Sequence, residues 1–98
     1  MIGVFSSFSF SDTAFDAQKL RAIAREARAK FEAMPGLRSK TFTLNEAERK
    51  AVNFYVWDDE AAARAFFTPE LAQHIAKLYG AAATIAFVEI AERVDNAH

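Results

Sequence analysis

Cysteine is absent, which excludes disulfides, thiolate metal sites and a cysteine nucleophile. Histidine occurs only at positions 74 and 98, too far apart for the usual spacing of zinc ligands. Three glycines cannot build a phosphate-cradling loop, and Gly36 and Gly80 are already used as helix stops, so no nucleotide fingerprint is expected. No run of about 18 apolar residues occurs, so no membrane-spanning helix is expected. Twelve basic residues against thirteen acidic ones are scattered along the chain, with no basic stripe to suggest nucleic-acid binding. Met1-Ile2-Gly3-Val4-Phe5 has no basic leader and reads as a strand, so the expected location is the cytoplasm.

What is abundant is apolar side chain. Hydrophobic residues make up 52% of the 98, and ten are Phe. The length suits one domain, residues 1–98. A chain this short buries only about two-thirds of its unfolded surface, and ten Phe exceed what such a core readily hides. Self-association is the expected outlet.

Met1 to Phe10 alternates Ile2, Val4, Phe8 and Phe10 against Gly3, Ser7 and Ser9, the period of a strand. From Ala14 to Met34 the period lengthens. Leu20, Ile23, Ala24, Ala27, Phe31 and Met34 take the spacing of one helix face, with Thr13 as the expected cap and Pro35-Gly36 as the stop. Leu37 to Leu44 and Ala51 to Trp57 read as a hairpin around the polar turn Asn45 to Arg49. Asp58 or Asp59 caps a short helix carrying Ala63, Phe66 and Phe67. Thr68-Pro69 starts another, with Leu71, His74, Ile75, Leu78 and Tyr79 on one face and Gly80 at its end. Ala83 to Ala91 is the last strand, followed by a polar tail from Glu92 to His98. The order β-α-β-β-α-β predicts an α+β, ferredoxin-like fold with a four-stranded antiparallel sheet.

A half-exposed sheet alternates apolar with polar residues. Here Val52, Phe54 and Val56 stand opposite Asn53, Tyr55 and Trp57, and Ala86 and Val88 stand opposite Ile85, Phe87 and Glu89. Both faces are largely apolar. An uncovered face carrying Tyr55, Trp57, Ile85 and Phe87 would be a large apolar patch, so a second copy of the sheet is expected to cover it. The homodimer would be an α/β barrel, with those residues in a shared interior.

Two segments, Met34-Pro35-Gly36-Leu37-Arg38-Ser39-Lys40-Thr41-Phe42 and Phe54-Tyr55-Val56-Trp57-Asp58-Asp59-Glu60, carry a family likeness. With Phe87-Val88-Glu89-Ile90 they resemble the YdhR-type mono-oxygenases of the dimeric α/β-barrel superfamily. The first strand departs from that pattern in its Ser6, Ser7 and Ser9. The resemblance implies mono-oxygenation of an aromatic or polyketide-like small molecule without a cofactor. Haem on His74, the only helical histidine, is the alternative within the superfamily. A non-catalytic ligand-binding or stress-response dimer would use the same cavity.

Cofactor-free oxygenation asks for a base, hydrogen-bond donors for a developing oxyanion, and aromatic walls. Lys40 and Glu89 are the charged candidates, either as a base or as an ion pair across a dimer seam. Tyr55 and Asn53 are the hydrogen-bonding candidates, and Phe42, Trp57 and Phe87 the walls. His74 is expected at the cavity boundary. Whether Lys40 with Phe42, or Ser39 with Thr41, faces the cavity depends on hairpin register, because a one-residue slip exchanges them. The resemblance favours Lys40 and Phe42.

Overall fold

The computed structural model describes residues 1–97; His98, assigned to the tail, lies outside the described residues. The elements are β1 (Ile2–Ser9), α1 (Ala17–Phe31), β2 (Leu37–Asn45), β3 (Lys50–Trp57), α2 (Glu60–Phe66), α3 (Pro69–Tyr79) and β4 (Thr84–Glu89). The strands pair antiparallel in the order β2-β3-β1-β4, leaving β2 and β4 as the two edges. This is the expected ferredoxin-like topology. No helix among the described residues is long and apolar enough to cross a membrane.

Local chemistry sets most boundaries. Asp59 and Thr68 cap α2 and α3 through their side-chain oxygens, and Gly80 closes α3 in the left-handed region at φ 74°. The first helix departs from expectation at both ends. Its cap is Asp16, which accepts from the Lys19 N–H at 3.1 Å, because Ser11 has already drawn Ala14 into a turn of its own. It stops at Phe31, before Pro35, where Ala33 turns to φ 58°. Gly36 follows at φ 80°, and a Cβ there would lie 2.9 Å from that of Ala62, so this crossing under α2 requires glycine.

The helices cover the face formed by Val4, Ser6 and Phe8 of β1 and Ala51, Asn53, Tyr55 and Trp57 of β3. Phe8 and Ala51 pack with Leu20, Ile23, Ile75 and Tyr79, while Val4, Tyr55 and Trp57 pack with Ala63. Ile85 and Phe87 join the second group. These positions correct the expected facing of the sheet. Tyr55, Trp57, Ile85 and Phe87 lie under the chain's own helices. The uncovered face carries the other alternate set, with Phe5 and Val88 exposed and the Phe5 and Phe54 rings 4.6 Å apart. Both sets are apolar, so alternation alone carries no sign for which one the helices take.

Candidate functional site

The hairpin register resolves the β2 ambiguity. A bulge between Leu37 and Ser39 skips Arg38, after which Lys40 stands opposite Tyr55 and Phe42 opposite Asn53. Lys40 and Phe42 therefore point under the helices, and Ser39 and Thr41 point away. The displaced Arg38 pairs with Asp58 at 2.6 Å.

Lys40 is a half-buried cation without a counter-ion. Its Nζ lies 3.5 Å from the Phe31 ring centroid, 4.2 Å from that of Phe42 and 4.4 Å from that of Tyr55. Among the described residues it forms no ion pair. Burial first, and the nearby Lys30 second, lower its pKa from 10.5 to about 7. The three ring faces attract the ammonium and so act against that shift. At neutral pH the free amine and the ammonium coexist.

A cavity of about 230 Å³ opens beside it, between the sheet and helices α1 and α3. Its lining includes Lys40, Phe42, Asn53, Tyr55 and Tyr79, with the exposed Lys30 and His74 toward solvent. Asn53 Nδ2 donates to the Tyr79 hydroxyl at 2.9 Å, which leaves the Tyr79 O–H able to donate into the cavity. Burial, with Tyr79 adding to it, holds the Tyr55 phenol above the usual range, and burial raises Tyr79 as well. Both tyrosines stay protonated at neutral pH, as donors and not as bases.

The structure thus brings together Lys40, Tyr55, Phe42 and Asn53, with His74 at the entrance. Trp57 and Phe87 stand apart. They belong to an aromatic cluster beneath α2, where Trp57 lies 5.2 Å from Phe66, and Phe87 lies 5.9 Å from Phe67. Glu89 is exposed on β4, at the sheet edge opposite β2, with two strands between it and Lys40. Its register puts it on the helix side of the sheet, as Lys40 is. Tyr79 was missed as a site residue. It occupies an apolar helix position next to a glycine stop, and only its phenol hinted at a polar role.

His74, the residue named for haem, is exposed where it lines this cavity. No group of three side chains that could hold a bare metal ion occurs among the described residues.

Among solved structures, the chain is similar to a monooxygenase from the gene ActVA-Orf6 of Streptomyces coelicolor, crystallised with nanaomycin D. Identity is 16% over 98% of this chain and 92% of that one, with a TM-score of 0.71. It is also similar to SnoaB, a cofactor-independent oxygenase from Streptomyces nogalater, at 18% identity over 97% of each chain and a TM-score of 0.62. A mutant of MhuD holding two manganese protoporphyrin IX molecules per active site aligns at 14% identity over 98% of this chain and 100% of that one, with a TM-score of 0.71. At these identities the likeness is one of fold. No family model and no curated protein matches the sequence.

Proposed function

We propose that this chain is a cofactor-independent mono-oxygenase of the YdhR-like kind, acting on an aromatic, polyketide-like molecule bound between sheet and helices. The observation that carries this reading is the unpaired Lys40 amine in its cage of Phe31, Phe42 and Tyr55, on the wall of a cavity that Asn53 and Tyr79 also line. The fold shared with SnoaB supports it.

An anthrone illustrates the chemistry. Neutral Lys40 takes a proton from the acidic methylene, and the electron pair moves onto the ring oxygen. Tyr79 and Tyr55 donate hydrogen bonds to that oxyanion in a site sheltered from water. The carbanion passes electrons to molecular oxygen, and a carbon–oxygen bond forms to give a hydroperoxide. Loss of the remaining C–H proton breaks the O–O bond, leaving a carbonyl and releasing water. One oxygen atom enters the product, the other leaves as water, and the substrate supplies every electron. No separate reductant is required.

The uncovered face of Phe5, Phe54 and Val88 is assigned to a second copy of this one-domain chain, which would close a dimeric barrel by sheet-to-sheet packing. The cytoplasm is the proposed location. Oxygen uptake with a panel of anthrones and quinols tests the function. The expected result is uptake coupled to quinone formation. No uptake above buffer contradicts it, and tight binding without turnover, unchanged in Lys40→Ala, favours a ligand-binding dimer instead.

A further inference from the structure

Twelve basic residues look scattered in sequence, yet α1 gathers three of them on one side. Arg21, Arg25 and Arg28 follow one another at i, i+4 and i+7, so they line one flank of the helix. Like charges at that spacing oppose helix formation by a few tenths of a kcal/mol per pair, at about 0.2–0.5. Arg28 is offset by Glu32 at 3.0 Å, whereas Arg21 and Arg25 form no ion pair among the described residues. All three are exposed. Two grooves run along that flank. One, of about 580 Å³, lies between α1 and the start of β2 and is lined by Arg25, Arg28, Arg38 and Lys40. The other, of about 320 Å³, is lined by Arg21, Arg25, Phe42, Asn53 and Tyr79.

Some of their lining residues also border the cavity behind. Phe42 lines all three spaces, Arg25 lines both grooves, and Asn53 and Tyr79 line both the second groove and the cavity. Phe42, Asn53 and Tyr79 thus form the wall between cavity and second groove, and a molecule reaching past the Phe42 ring would meet Arg25. Such a molecule would pass from aromatic and amide side chains to uncompensated guanidinium groups, which bind carboxylates in a two-pronged geometry.

We propose that the substrate is an aromatic acid: its ring system occupies the cavity beside Phe42, Asn53 and Tyr79, and its carboxylate reaches the arginine rim, held by Arg25 with Arg21 beside it. This names the substrate class of the site already described and rests on that reading for the position of the ring. It makes Arg25 a binding residue. The arrangement selects acids over neutral analogues and draws them in along a positive flank of a chain whose net charge is −1.

Binding tests this without turnover. Calorimetry with anthraquinone-2-carboxylate and with its uncharged carboxamide compares one ring system with and without the charge. The expected result is about tenfold tighter binding of the acid at low ionic strength, fading as salt is added. Arg25→Gln and Arg21→Gln/Arg25→Gln should bring the two probes close to parity, Arg25→Lys should keep part of the preference, and Arg64→Gln on α2 should keep all of it. Equal affinity in the unaltered protein, no binding of either probe, or a preference that survives Arg21→Gln/Arg25→Gln would each overturn the proposal. Because binding is measured apart from oxygen uptake, failure of the oxygenase reading and failure of the acid preference are separately visible.

Discussion

Lys40 Nζ lies 3.5 Å from the centroid of the Phe31 ring, joining the edge strand β2 to the last residue of α1. An ammonium in that position exchanges water for ring faces and has Lys30 nearby, so it holds its proton weakly. Burial beside that ring, with Lys30 second, sets the state of the amine.

If Lys40 is the base, kcat/KM should rise with pH as its proton leaves, with an inflection near the value of about 7 set by burial and Lys30. A pH–rate profile over the range where the fold is intact checks this. Lys40→Arg, which stays charged, should lose the inflection and most of the activity. A profile in which the rate falls through that pH would mean the ammonium is the active form.

Burial of Lys40 should also cost stability. Below about pH 7 the amine is protonated in both the folded and the unfolded chain. Between about 7 and 10.5 the unfolded chain holds a proton that the folded chain has released, so the Lys40 contribution to stability rises with pH across that window. Lys40→Met, which keeps the stem and removes the charge, should therefore raise Tm at pH 6 by roughly 2–5 °C, with the gain shrinking toward pH 10. Thermal melts at both pH values measure it.

Tyr79→Phe removes the acceptor of the Asn53 amide and leaves a buried donor unpaired. The expected cost is about 1–3 kcal/mol in chemical denaturation. On activity, kcat should fall more than KM rises, because the phenol is assigned to an oxyanion that develops during the reaction. Tyr79→Phe combined with Asn53→Leu should recover part of the stability and none of the rate.

The fold was legible because its signals are local. Thr68-Pro69, Asp59 and Gly80 mark helix ends by their own chemistry, and the change from period two to period 3.6 separates strands from helices. The facing of the sheet was not legible. Tyr55 and Phe54 are both aromatic neighbours in β3, and which one the helices cover depends on contacts made from α1, α2 and α3. The site followed that facing: Lys40, Phe42, Asn53 and Tyr55 converge, but under the helices and not in a shared interior. Within one chain Glu89 stands away from them because strand order, which sequence does not show, puts β2 and β4 at opposite edges. The arginine flank of α1 was hidden by counting charges along the chain and not around the helix.

The uncovered sheet face makes a separate prediction. Equilibrium sedimentation at micromolar concentration should give twice the 10.9 kDa mass of one chain. Phe54→Glu, which places a charge beside Phe5, should shift the protein toward the monomer. A monomer in the unaltered protein would show that this face needs no second copy.

Turnover of an anthrone under ¹⁸O₂ by chelator-treated protein, with Lys40→Met run alongside, addresses the proposed reaction itself. The expected result is one oxygen molecule consumed per quinone formed, one labelled atom in the new carbonyl, and a loss of about 10²-fold or more in Lys40→Met. Oxygen uptake no greater than in buffer, or full activity in Lys40→Met, would contradict it.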